Sequence, residues 1–181
     1  MSYLENADRV GHSLNFSEAL KEHLRHVWDK EVNFRQWFSK LPKEDQANIK
    51  RLGDWLLMVI GEQGEVWAVG STVRNVRHGK DALGNDIDLQ VFARCPNKEM
   101  IKLLKNALSQ DLLSGFQLRM QPRFDQDAEL PYFTAEFWPT CGRPIHLLSP
   151  KPWEMTPEEE RNSRRWPLFN GPFARFEKRL P

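Results

Sequence analysis

Cysteine is scarce in this chain. Cys95 and Cys141 are its only two, and no Cys-x-x-Cys occurs. That argues against a disulfide framework or a thiolate zinc module, and points to a reducing compartment. An excess of either charge is also missing. The 26 Lys and Arg residues stand against 25 Asp and Glu, leaving a net charge of +1. No global field advertises nucleic acid as a partner, although a local basic patch remains compatible with one. No apolar run reaches transmembrane length. Met1 to His12 is polar and lacks the apolar stretch of a signal peptide. The expectation is a soluble, cytoplasmic protein with no membrane partner. What the chain does have is aromatic bulk, with 7 Trp and 11 Phe, read here as core and interface filling. Its 181 residues suffice for one domain with a real core and a helical appendage.

Asn15 and Glu18 have the spacing of a helix N-cap and its reciprocal acid. Leu20, Leu24, Val27 and Trp28 follow at helical spacing. A short second helix carries Phe34, Trp37 and Phe38. Pro42 with Glu44 and Asp45 opens a third, since Pro suits the first turn and acids suit the positive helix end. Its apolar stripe is Ile49, Leu52, Leu56, Val59 and Ile60, and Gly61 and Gly64 end it.

Glu65 to Val69 reads as an apolar strand running into Gly70 and Ser71, with a short helix over Thr72 to Arg77. His78 to Asn85 is loop, and Ile87 to Ala93 is strand. Pro96 opens a further helix with Met100, Ile101, Leu104, Ala107 and Leu108 inward, ended by Gly115. Three strands follow, at Gly115 to Gln121, Tyr132 to Trp138 and Arg143 to Leu148. Pro139 to Gly142 is a hairpin signal between the last two. The order of helices, then βαβα, then three strands predicts an α/β or α+β fold with a small mixed sheet flanked by helices. Three segments are expected: an N-terminal helical extension over 1–64, a core over 65–150, and a tail over 151–181 packing on that core.

The chemistry concentrates in two places. Gly70 lets backbone approach an anion, Ser71 adds a hydroxyl, and the helix behind them begins with unpaired N–H groups. Gly-Ser is also a common turn dipeptide. Asp86 and Asp88, at i and i+2 on a strand, point to one face, while Ile87 and Leu89 fill the other. Side by side, the two acids repel and raise a pKa, and a divalent cation relieves this. Asp is depleted inside strands, which favours the metal reading over that of a turn and a surface residue. Arg74, one helical turn on, has the reach for a nucleotide phosphate, though a surface salt bridge explains it nearly as well. Arg77, His78 and Lys80 read as solvated loop charges. The C-terminal stretch interleaves Arg161, Arg164, Arg165, Arg175, Lys178 and Arg179 with Trp166, Phe169, Phe173 and Phe176. That mixture suits single-stranded nucleic acid, but packing across the domain is preferred.

Val66 to Gly79 (VWAVGSTVRNVRHG), followed by Asn85 to Leu89 (NDIDL), resembles the polymerase-beta-type nucleotidyltransferase superfamily. It is most similar to the head of tRNA CCA-adding enzymes and bacterial poly(A) polymerases. Ser71 takes the second-glycine place, Val73, Arg74 and Gly79 match, and Asn75 replaces an aspartate. The resemblance implies the nucleotidyltransferase fold. It implies Mg²⁺-dependent transfer of a nucleoside monophosphate from a triphosphate to a hydroxyl of RNA, protein or a small molecule. Two Mg²⁺ ions, or Mn²⁺ in their place, would be held by Asp86 and Asp88, with Gly70, Ser71 and Arg74 on the nucleotide. A third carboxylate is due on a later strand, where His146 stands instead. Glu136, on the preceding strand, would substitute if it shared a face with His146, which a one-residue slip reverses. The alternative is a catalytically degenerate relative that binds nucleotide, nucleic acid or protein. A third is a head domain working with a partner chain.

Overall fold

The computed structural model describes residues 28–60, 65–92, 132–151 and 171–181, together with 102–123 apart from 104, 108 and 112. The expected helix from Asn15, most of the inward face of the helix after Pro96, and the basic aromatic run from Arg161 to Phe169 lie outside them. After a 3₁₀ turn at Trp28–Lys30, helices α1 (Phe34–Ser39) and α2 (Lys43–Ile60) precede strand β1 (Glu65–Val69), helix α3 (Ser71–Arg77) and strand β2 (Ile87–Phe92). Strands β3 (Phe116–Arg123), β4 (Tyr132–Pro139), β5 (Ile145–Lys151) and β6 (Ala174–Arg175) complete the sheet. Among the described residues the molecule is α+β, with a six-stranded mixed sheet in the order β3-β4-β5-β2-β1-β6. Only β2 and β5 run parallel, at the middle of the sheet; β1 with β2, β4 with β5, β3 with β4 and β1 with β6 are antiparallel.

The alternation of apolar and polar residues decides which face is covered. Val66, Ala68, Ile87, Leu89, Ala135, Phe137, Ile145 and Leu147 are all fully buried and share one core with Ile49, Leu52 and Leu56 of α2. Burying each Val, Leu, Ile or Phe side chain of this set contributes about 1.5–3 kcal/mol relative to leaving it in water. Ile49, Leu52 and Leu56 of the stripe read from the sequence therefore cover the sheet, with Val59 partly buried beside them. α1 is capped by Asn33, whose side chain accepts from the Gln36 N–H. It brings Trp37 into the core, where its indole N–H donates to Thr72 Oγ1 at 3.2 Å and ties α1 to α3.

Residues 171–181 close the other edge. Phe173 stacks on Trp67 with ring centroids 4.3 Å apart, and Phe176 meets Phe34 at 4.9 Å. Arg175 pairs with Glu31 and Glu65 at 3.1 and 3.6 Å. Gly53 of α2 leaves room for this segment, since a Cβ there would sit 2.6 Å from Leu180 Cδ1.

Candidate metal centre

The face of the sheet opposite α2 carries the site. Asp88 lies beside His146 in the parallel β2–β5 register, and His146 lies beside Glu136 in the antiparallel β5–β4 register. Glu136 in turn faces Arg119 of β3. Directly paired residues project to one side of a sheet, so Asp88, His146, Glu136 and Arg119 form a row across four strands. Asp86, two residues before Asp88, adds its carboxylate at the same end.

The side chains converge. His146 Nδ1 is 3.3 Å from Asp86 Oδ2 and 3.4 Å from Asp88 Oδ1, while Nε2 is 3.7 Å from Glu136 Oε1. One ligand atom from each of Asp86, Asp88 and His146 lies within 4.8 Å of the others, so the three are able to hold a metal ion. All are half-buried. Burial pushes the Asp88 carboxyl above its ordinary range; the neighbouring Asp86 charge adds to this and His146 offsets part of it. Glu136 is held from its other side by the Trp138 indole N–H, which donates to Oε2 at 3.1 Å. Arg119 lies over the Trp138 ring, 4.6 Å from its centroid.

Gly70 and Ser71 meet this group from β1. Val69 pairs with Asp88, and the chain then turns into α3 at Gly70, with φ 83° and ψ −155°. That conformation belongs to glycine, and proximity forbids a side chain as well, because a Cβ at Gly70 would overlap Asp88 Oδ2. No side chain caps α3. Gly84 passes so close to Ser71 that a Cβ there would lie 2.6 Å from its Oγ. Asn75 braces the following loop. Its Nδ2 donates to Leu83 O at 2.6 Å, and its own carbonyl accepts from the Lys80 N–H at 2.9 Å. Both bonds shape the loop that delivers Asp86. Arg74 is exposed on α3. Arg77 is engaged elsewhere, donating to the Asp29 carbonyl at 2.9 Å.

The β4–β5 connection is anchored from α2. Asp45, only 2% exposed, accepts from the Arg143 backbone N–H at 2.8 Å and from Nε at 2.7 Å. The sequence offered Asp45 only as a favourable charge in a first helical turn. Its partner stands 98 residues away, a separation that no local pattern encodes. Trp138 was findable from period two, being i+2 from Glu136; Arg119 required the β3–β4 register.

No protein-family model matches the chain, and no curated protein matches it. Among the described residues no helix is long and apolar enough to cross a membrane. The fold and cluster define a mixed α+β domain with a metal-capable group of two aspartates and a histidine at the meeting point of β1, β2 and β5.

Proposed function

We propose that this protein is a divalent-metal-dependent nucleotidyltransferase with the nucleotidyltransferase fold. It moves a nucleoside monophosphate from a triphosphate to a hydroxyl of RNA, protein or a small molecule. The observation that carries the reading is the contact between Gly70 and Asp88. It brings an anion-tolerant turn and a carboxylate pair, separated in sequence, to one place. Asp86 and Asp88 would hold the ion, which supplies charge neutralisation of the phosphates. Gly70 and Ser71 would orient the phosphates, and Arg74 would reach them from α3. The acceptor oxygen bonds to the α-phosphorus as the bond to pyrophosphate breaks, and the hydroxyl proton passes to solvent. The fit to the expected pair of Mg²⁺ ions is incomplete, because an imidazole stands where a third oxygen ligand belongs. No step is assigned to a second ion.

The test is incubation with Mg²⁺, Mn²⁺ or Zn²⁺, each labelled triphosphate, and RNA and protein acceptors. Transfer that disappears in the Asp86→Ala/Asp88→Ala variant supports the reading. Absence of transfer under every combination, or transfer that survives in that variant, overturns it.

One observation favours a second reading. His146 turns one ring nitrogen to two aspartates and the other to Glu136. As an imidazolium it would balance these carboxylates without a cation. The protein would then be a non-catalytic binding module for nucleotide, nucleic acid or protein. Calorimetric titration with triphosphates separates the two, since binding without turnover favours the module.

A further inference from the structure

We infer that the Asp86–Asp88–His146 cluster is a site for one Zn²⁺-class ion rather than for Mg²⁺, and that Glu136 is the positioning residue that sets His146 as its ligand. This deepens the metal-dependent reading above, and its test uses no nucleotide.

Ligand chemistry is the first ground. Mg²⁺ takes hard oxygen ligands in near-octahedral array, and keeps several waters. Imidazole suits Zn²⁺, Co²⁺ and similar ions. Zn²⁺ accepts both imidazole nitrogen and carboxylate oxygen, and three protein ligands with a further position left for a non-protein ligand follow the plan of an open zinc site.

Spacing is the second. Two ligands each about 2.1 Å from a shared ion lie about 3.4 Å apart at a tetrahedral angle and about 3.0 Å apart at a right angle. His146 Nδ1 stands 3.3 Å from Asp86 Oδ2 and 3.4 Å from Asp88 Oδ1. Both distances suit a pair of ligands on one tetrahedral ion, and the three ligand atoms lie within 4.8 Å of one another.

The outer shell is the third. A histidine that binds a metal through one nitrogen usually presents its other N–H to a carboxylate, which fixes the tautomer and strengthens the ligand. Glu136 Oε1 lies 3.7 Å from His146 Nε2, on the side of the ring away from the aspartates. Once an ion held by Asp86 and Asp88 takes the Nδ1 lone pair, the ring proton belongs on Nε2, and Glu136 is the carboxylate placed beside it. Glu136 is itself oriented by the Trp138 indole. The support thus runs from Trp138 to Glu136 to His146 to the ion. A rigid β4–β5 register underlies it, with Glu136 and His146 directly paired.

The experiment is calorimetric titration of chelator-stripped full-length protein with Zn²⁺ and with Mg²⁺, followed by NMR of the His146 ring nitrogens. Zn²⁺ should bind one per chain at least about 100-fold more tightly than Mg²⁺. The Zn²⁺-bound ring should carry its proton on Nε2. Glu136→Gln should weaken Zn²⁺ about 10- to 100-fold while leaving the melting temperature of the metal-free protein within a degree or two. Mg²⁺ binding as tightly as Zn²⁺, no Zn²⁺ binding, or a ring metallated at Nε2 overturns the proposal. So does an undiminished Zn²⁺ affinity in Glu136→Gln. The wild-type tautomer decides the matter even if that variant does not fold. Failure here leaves labelled-triphosphate transfer as a separate question, since no nucleotide enters the titration.

Discussion

Gly70 and Asp88 approach so closely that no residue larger than glycine fits between β1 and the carboxylate. Gly70→Ala must therefore displace Asp88 as well as force an L side chain to φ 83°. The backbone cost alone is about 1–3 kcal/mol. Gly79 supplies the control: its φ is 73°, but a Cβ there meets nothing within 4 Å. Gly79→Ala should cost about 1–2 kcal/mol in urea unfolding and leave metal affinity unchanged. Gly70→Ala should cost more and weaken the metal at least tenfold. Equal metal affinities in the two variants would count against the contact.

Asp88 makes stability depend on pH. Its carboxyl is raised above the ordinary range, first by burial and then by Asp86, with His146 opposing. A group whose folded pKa exceeds its unfolded one holds its proton more tightly in the native state. Stability then falls as pH rises from the ordinary carboxylate value of about 4 through the raised one. In chelator, the urea midpoint of wild type should drop across that window relative to Asp88→Asn, which cannot ionise there. Adding the metal should close the gap, because a cation offsets the charge that burial penalises. Parallel pH profiles for the two proteins would refute this assignment.

Asp45 fixes the strand that carries His146. Asp45→Ala removes two of the acceptors of Arg143 and leaves the Gly84 carbonyl, 3.3 Å from Nη1; the side chain is only 16% exposed and its Nη2 is already buried without a hydrogen-bond partner. Leaving such a charge unpaired costs about 3–5 kcal/mol. Arg143 lies two residues before β5, and Ile87 N–H donates to Pro144 O at 2.9 Å in the same turn. The variant should therefore lose metal affinity together with stability. Denaturant titration and calorimetry on the same sample check both.

Much of the fold was legible because it rests on local patterning. The stripe Ile49, Leu52 and Leu56 marked the buried face of α2, and Ile87 and Leu89 alternate with Asp86 and Asp88 so that each pair could be assigned a face. The helix expected at Thr72 to Arg77 begins one residue earlier, because Gly70 itself turns the chain. Strands expected to end at Gln121 and Leu148 run on to Arg123 and Lys151. Sequence could not fix the register between β4 and β5, and this alone decides whether Glu136 faces His146 or the core. The pairing observed puts them together. Edge strand β6 was equally out of reach. Two residues long, it exists through its pairing with Trp67 and Ala68 rather than through any pattern of its own.

Phe173 is where that edge is most exposed to challenge. It is 1% exposed and stacks on Trp67 with the rings 20° from parallel, on the same face of the sheet as the metal cluster. Phe173→Ala should cost about 3–5 kcal/mol and release β6 from β1. Amide exchange at Phe176, whose N–H donates to Val66 O at 2.8 Å, should accelerate by a large factor. Retained protection there would show that Phe176 and Leu180 suffice to hold the segment.

His146→Asp tests the site from the opposite direction. A carboxylate in place of the imidazole gives three acids facing one point, with no imidazole left to offset Asp86 and Asp88. Without metal their repulsion adds to the burial that already raises Asp88, so the metal-free variant should be less stable than wild type once the pH exceeds the raised carboxylate range. The same three oxygens suit Mg²⁺. Its affinity should rise while that of Zn²⁺ falls, and saturation at about 100 times the dissociation constant should restore about 2.7 kcal/mol. Thermal melts across a Mg²⁺ series give both numbers. Triphosphate transfer gained only in this variant would mark the natural protein as a binding module. Transfer already present in wild type with Zn²⁺, and shifted to Mg²⁺ by the substitution, would show that His146 selects the ion on which an active site depends.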